Sequence, residues 1–227
     1  MSTPPQGTAS RDRDAETAQS AADRAYAFVK DQIVTGSYPG GTLISEGEAS
    51  EALQISRTPI REAFLRLSAE GLLRLYPKRG ALVVPVSASE IHDVLDARRL
   101  IEQHAARTAI AAGRHRELAA ELRAILYKHS DPGTPRDARH FTELDQQFHG
   151  ALVEAAGNRL LADFYAALRD RQLRMGTAAL RRDPGRYDAI LAEHAALADL
   201  IDTGNAEETA DALAGHLAAT RAVLAEG

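Results

Sequence analysis

The chain has no cysteine and no tryptophan among its 227 residues, and aromatic residues make up only 5% of it. Without cysteine there is no disulfide framework, no cysteine-based zinc finger and no thiolate chemistry. No uncharged apolar run reaches the ~18 residues that a membrane-spanning helix needs. The opening stretch, MSTPPQGTASRDRDAE, holds no apolar segment of the secretory type, so a cytoplasmic protein without a membrane role is the expectation. A net positive charge is missing too: the formal total is −5. That sum argues against nucleic acid, but its distribution does not. Residues 55–80 carry six basic side chains (Arg57, Arg61, Arg66, Arg74, Lys78, Arg79) against two acidic ones (Glu62, Glu70), whereas residues 89–227 hold 17 Lys/Arg against 22 Asp/Glu. A short basic segment sits beside a larger acidic body, which implies two parts, one of them facing an anion.

The chain divides accordingly. Residues 1–20 are small and polar, with no apolar periodicity, and read as a disordered arm. Residues 21–86 read as helix, helix, tight turn, helix, β-hairpin. Ala25, Phe28, Val29 and Ile33 recur at helical spacing, with Gly36 as a stop. Ser45 and Glu48 form a capping-box pattern for a short helix ending near Leu53. Ser56 or Thr58 caps the next, with Pro59 in its first turn and Ile60, Ala63, Phe64 and Leu67 as its apolar side. Leu72–Tyr76 and Ala81–Val86 read as strands joined by a turn at Pro77–Gly80. This is a winged helix-turn-helix. Residues 87–227 read as an all-α bundle of about six helices, at 89–112, 115–130, 137–156, 158–181, 186–203 and 206–224. The fold class is therefore mainly α, and the breaks fall at Gly113, Asp131–Pro135, Gly157-Asn158, Asp183–Gly185 and Gly204-Asn205.

At the start of the third helix, Arg57 and Arg61 are four residues apart and share a face. A helix of that kind fits the major groove, where arginine can pair bidentately with guanine. Thr58 and the first-turn N–H groups can hold a phosphate, and Lys78, Arg79 and Gly80 at the hairpin tip can reach the neighbouring backbone or groove. A solvated basic face is the bland alternative, and the helix-turn-helix context favours DNA over it.

These residues resemble a known family. The stretch from about Tyr26 to Pro85, with Leu43-Ile-Ser-Glu46, Ser56-Arg-Thr-Pro-Ile-Arg-Glu-Ala-Phe64, Leu67, Glu70-Gly-Leu72 and Arg79-Gly80, is similar to the winged helix of GntR-family bacterial transcription regulators. The helical remainder, with Arg98…Glu102 and Asp145-Gln-Gln-Phe-His149, resembles the FCD effector-binding domain of the FadR-type branch. The resemblance implies that Arg57, Thr58 and Arg61 contact DNA, with Gly80 at the wing tip. It departs at Gly47, where many relatives have arginine.

Four polar residues of the bundle fall on inward arcs. At about 100° per residue, Asp145 lies about 20° from Leu152, on the shoulder of the arc drawn by Phe141, Leu144, Phe148 and Leu152, and His149 follows one turn on. His194 falls between Tyr187, Ile190 and Ile201, and His216 among Thr209, Leu213, Thr220 and Val223. One account is four separate core residues, each satisfied by a neighbour or a water. The other is a divalent metal held by Asp145, His149, His194 and His216, with zinc ahead of nickel or manganese. The resemblance implies the same set, since metal-binding relatives use an Asp-x-x-x-His pair and two later histidines. His92, His104, His115, His129 and His140 fall outside it and read as surface or unremarkable. Arg98 points inward among Ile91, Val94, Ile101 and Ala105, so it must meet an anion. That anion is either Glu102, four residues on, or the carboxylate of a small organic acid. Arg171 and Arg174 could add charge to the same pocket; Asn158 reads as a helix-end device.

The expected function is a transcription regulator, in the sense of a repressor, that binds a palindromic operator on double-stranded DNA as a homodimer. A small organic acid bound in the bundle would change its DNA affinity. The competing readings are a metal-dependent hydrolase or lyase and a metal-sensing regulator. The winged helix disfavours the enzyme.

Overall fold

Ser45 and Glu48 cap the second helix reciprocally: the Ser45 hydroxyl accepts from the Glu48 amide at 3.0 Å, and the Glu48 carboxylate accepts from the Ser45 amide at 2.8 Å. The computed structural model describes residues 20–130 and 137–225. Apart from Ser20, which caps the first helix, the expected disordered arm lies outside the described residues, as does the expected loop at Asp131–Pro135. The N-terminal part consists of α1 (Ala21–Val34), β1 (Leu43–Ile44), α2 (Glu46–Leu53), α3 (Arg57–Ala69), β2 (Leu73–Tyr76) and β3 (Gly80–Val83). Ala25, Val29 and Ile33 of α1 pack on Ile60, Ala63, Phe64 and Leu67 of α3 and on Leu73, Ala81 and Val83 of the sheet, forming a closed core. Burying a side chain such as Phe64 or Leu67 contributes about 1.5–3 kcal/mol.

The sheet is antiparallel in the order β1-β3-β2, with Leu43 opposite Leu82 and Leu73 opposite Val83. The two-residue β1 was not anticipated, because a strand that short carries no periodicity. It matters at Gly80. A Cβ there would lie 2.3 Å from the Ile44 carbonyl oxygen, and φ is +100°, so only glycine lets β3 close on β1. The expected side-chain cap at the start of α3 is absent, although Ser56 is the N-cap.

The helical part holds α4 (Ala88–Ala111), α5 (His115–Ser130), α6 (Ala138–Glu154), α7 (Arg159–Ala166), α8 (Arg169–Arg182), α9 (Arg186–Thr203) and α10 (Ala206–Ala225). Ser87 caps α4 and Asn158 caps α7, as their spacing predicts. The expectation of six helices is corrected to seven among the described residues, because the helix expected over 158–181 divides at Ala167-Leu168. Neither proline nor glycine marks that bend. It is imposed by partners on other helices: the Tyr165 hydroxyl donates to Glu102 on α4 at 2.7 Å, and Gln146 Nε2 on α6 donates to the Arg169 carbonyl at 2.7 Å. A straight helix could not satisfy both and still lay α8 along α6.

α6 sits at the centre of the bundle, with Phe148 and Leu152 wholly buried against α5 and α9. α8 is shared between the two parts. Lys30 on α1 meets Asp170 on α8 at 2.7 Å, and Arg181 donates to the Gly36 carbonyl. Arg174 donates to the Val84 carbonyl at 2.6 Å, and Arg139 on α6 meets Asp31 at 2.9 Å.

Candidate nucleic-acid interface and metal centre

α2 and α3 form the helix pair, joined by a turn in which Gln54 adopts the left-handed conformation at φ +53°. With Ile60, Ala63, Phe64 and Leu67 turned to the core, Arg57, Thr58 and Arg61 are left exposed. Arg61 makes a bidentate pair with Glu46 of α2, both bonds at 2.9 Å, but its side chain is 66% exposed. A pair that open to water is weak, about 0–1 kcal/mol, and yields readily to a competing anion. Gly47 lies beside Arg57: a Cβ there would stand 3.7 Å from the guanidinium. With no side chain in that place, Arg57 has room to move. Lys78 and Arg79 are exposed at the hairpin tip, and Lys78 has a φ of +64°. Gly80 is half-buried, and its packing against β1 accounts for it. Arg66 instead pairs with Asp23 at 2.7 Å and lies over the Tyr26 ring.

In the bundle, Asp145, His149, His194 and His216 converge, each offering one ligand atom with all four atoms within 4.8 Å of one another. The three imidazoles are buried, and Asp145 is half-buried at their edge. His194 Nε2 lies 3.2 Å from His149 Nε2 and 3.5 Å from Asp145 Oδ1; His149 Nε2 lies 3.9 Å from the same oxygen. For bonds of about 2.0–2.1 Å in a tetrahedral site, ligand atoms stand about 3.3–3.4 Å apart, so these spacings suit one small divalent ion.

The surrounding carboxylates orient the rings. His149 Nδ1 meets Glu102 Oε2 at 2.8 Å, and His216 Nδ1 meets Glu193 Oε2 at 2.5 Å. Each ionised carboxylate can accept a hydrogen bond from Nδ1–H, which leaves Nε2 with its lone pair directed at the centre, the usual second partner of a metal-bound imidazole. His194 stacks on Phe148 with ring centroids 4.1 Å apart, and its buried Nδ1 has no partner. Burial, and then the neighbouring histidines, hold His194 well below its ordinary pKa; burial likewise lowers that of His216. Neutral imidazole is the form that binds metal.

Glu102 is buried completely, which works to raise its pKa, but Arg98, His149 and the Tyr165 hydroxyl outweigh burial and keep it ionised. Glu193, desolvated yet bonded to His216 and bidentately to Arg186 at 2.5 and 2.7 Å, is brought down to about 2. Arg98 Nε donates to Glu102 Oε1 at 2.8 Å, so the ion pair weighed from sequence does form. It does not use up the guanidinium: Arg98 Nη2 is buried with no hydrogen-bond partner among the described residues. A cavity of about 30 Å³ beside the cluster is lined by Arg98, Asp145, His216 and Gln172 among others.

Two expectations need correction. Arg174 and Arg171 do not enter this cavity, because they turn toward Val84 and Glu90 at the junction with the winged part. His129 is not a surface residue: it is buried edge-on to Phe141 with Nε2 unpartnered, since α5 brings its last turn onto α6. Asp145 and the three histidines, weighed from sequence either as separate core residues or as one ligand set, lie together at one point. Sequence reasoning missed Glu193, Arg186 and Tyr165. The first stands next to His194 in the chain, but nothing local shows that it reaches His216 on α10.

Residues 21–83 match the bacterial regulatory proteins of the gntR family, and residues 93–219 match the FCD domain. The chain is 29% identical over 192 residues to the probable D-xylose utilization operon transcriptional repressor of Paenarthrobacter nicotinovorans, covering 85% of this chain and 83% of that protein. It is 26% identical over 197 residues to an HTH-type transcriptional regulator in an unstable DNA locus of Streptomyces ambofaciens, covering 86% and 80%. Among solved structures, McbR/YncC of E. coli superposes with a TM-score of 0.64 at 20% identity, covering 91% of this chain and 98% of that one. At that identity the likeness concerns the fold alone.

Proposed function

The chain belongs to the GntR family of bacterial regulatory proteins, with an FCD domain as its helical part, and from that premise we propose a cytoplasmic repressor that binds an inverted-repeat operator as a homodimer and is released by a small carboxylate metabolite. The family is one of transcription regulators, so the chain is a DNA-binding regulator and not an enzyme. The domain boundary is proposed at 86/87, just before the Ser87 cap of α4.

The observation that carries the reading is the double role of α8. Gln172, Met175, Gly176, Ala179 and Leu180 line the cavity beside the Asp/His cluster, while Asp170 and Arg181 hold α1 of the winged helix. An acid that enters the cavity therefore presses on the helix that carries the DNA-binding part. In the dimer, two α3 helices would have to stand about 34 Å apart to enter successive major grooves. A ligand that fits only one placement of α8 favours that spacing over another by its difference in affinity.

In this reading Arg57 and Arg61 read bases, and Thr58, Lys78 and Arg79 hold phosphates, with Gly80 shaping the wing. Asp145, His149, His194 and His216 would hold a divalent ion, zinc ahead of nickel or manganese, which supplies positive charge for the carboxylate. Arg98 Nη2 supplies the directed hydrogen bond. The cavity beside the cluster favours an acid-responsive regulator over one that senses the metal alone. The name of the Paenarthrobacter relative supports repression as the sign.

The test is selection of fragments of host genomic DNA by the purified, metal-loaded protein, with and without candidate acids. An enriched inverted repeat whose recovery falls when one acid is added is the expected result. Enrichment without two-fold symmetry, or recovery insensitive to every acid, would overturn the corresponding half of the reading.

A further inference from the structure

Two buried donors of the helical part have no hydrogen-bond partner among the described residues, and their side chains line one cavity: Arg98 Nη2 and Gln172 Nε2. Both side chains are more than nine-tenths buried, at 6% and 7% exposure. Glu102 already occupies Arg98 Nε, and the oxygen of Gln172 has only Gln146 Nε2, at 3.5 Å. A buried N–H left without an acceptor is costly, and a ligand oxygen is what such a pair can take. The two donors come from α4 and α8, beside the Asp145 and His216 side chains.

The remaining wall is of a different kind. Val94, Leu95, Phe141, Met175, Leu180 and Ile190 are apolar. Of the two threonines, Thr142 spends its hydroxyl proton on the Ala138 and Arg139 carbonyls and Thr220 on that of His216. Their oxygens can only accept, so a second carboxylate would be buried here with no donor to meet it. The space is also short. α6 and α8 meet so closely that a Cβ on Gly176 would lie 2.7 Å from Thr142 Cγ2, and the cavity of about 30 Å³ is only two to three times the roughly 10–15 Å³ that one water needs, room for a few heavy atoms.

Gln172 also lines a second space, an open groove of about 650 Å³ between α5, α6, α7 and α8, in which Gln146 and Arg169 stand beside it.

We infer that Gln172 is a second carboxylate-binding residue beside Arg98, and that the cavity selects a small monocarboxylic acid with a short apolar tail over dicarboxylates and polyhydroxy acids. This rests on the acid-responsive reading above. One end of the ligand would be fixed by two directed donors and by the charge of an ion held at the Asp/His centre; the other is chosen by shape and by the absence of a further donor among the described residues.

Calorimetric titration of the full-length, metal-loaded protein with propionate, butyrate, succinate and gluconate tests it. Propionate or butyrate should bind at least about tenfold more tightly than succinate or gluconate. Gln172→Leu should weaken the preferred acid about tenfold with metal content unchanged, and Gln172→Glu, which sets a like charge against the carboxylate, should weaken it further. Tighter binding of succinate or gluconate overturns the selectivity while the acid-responsive reading stands. Undiminished affinity in both folded variants overturns the role of Gln172. If none of the four binds the wild type, this inference falls, and the acid-responsive reading stands or falls separately on the DNA selection with other acids.

Discussion

The two charged regions of this protein are built on opposite terms. On α3, Arg57 and Arg61 stand in water, and the bond that Arg61 makes to Glu46 is open to solvent and competes weakly. In the bundle, Arg98, His149 and Tyr165 all bond to the wholly buried Glu102, and His149 meets His194; beside them His216 bonds Glu193, which Arg186 holds in turn. A surface charge can be held ready for a partner at little cost. A buried one must be paired within the fold, and whatever stays unpaired, such as Arg98 Nη2, marks where a ligand is expected. The exposed region suits a large polyanion that brings its own charge; the buried one suits a small ligand that completes a network.

Substitutions sharpen the contrast. Glu102→Ala should have the largest effect, destabilising the chain by about 3–5 kcal/mol, because it strands the Arg98 charge in the interior; the change is read from the denaturation midpoint in urea. A shift under about 1 kcal/mol would mean that water reaches the network and the contrast is overstated. His194→Ala should cost more metal affinity than the ~100-fold typical of losing an outer partner. Elemental analysis of the purified variant checks this, and undiminished metal content would return the four residues to a purely structural role.

Arg61→Ala should weaken specific operator binding by about 10–100-fold, the worth of one bidentate base contact, while leaving the melting temperature within a degree or two. Unchanged sequence preference would remove α3 as the reading helix. The smallest effect belongs to Glu46→Ala. It frees Arg61 from a surface pair, so operator affinity should rise by no more than about fivefold in a gel-shift titration. A larger rise would show the Glu46–Arg61 pair to be a real restraint on DNA binding.

Much of this was legible along the chain. The Ser45/Glu48 capping box, the apolar stripe at Ile60, Ala63, Phe64 and Leu67, and the inward arcs that carry Asp145, His149, His194 and His216 all follow from local periodicity. The misses share one physical origin. β1 exists because β3 has an edge to pair with, and Gly80 permits the approach. The bend between α7 and α8 exists because Tyr165 and Arg169 are held by residues on two other helices. His129 is buried because α5 lays its end on Phe141.

The sequence by itself determined the helix boundaries set by caps and glycines, the basic face of α3, and the inward turn of His149, His194 and His216, since each depends on spacing within one element. Only the tertiary structure decided that Glu193 holds His216, that Arg98 keeps one N–H free beside Gln172, and that α8 serves both the cavity and the winged helix. Those pairings join residues 23 to 140 positions apart. Their energies depend on burial and close packing, which no single stretch of chain possesses until the helices have met.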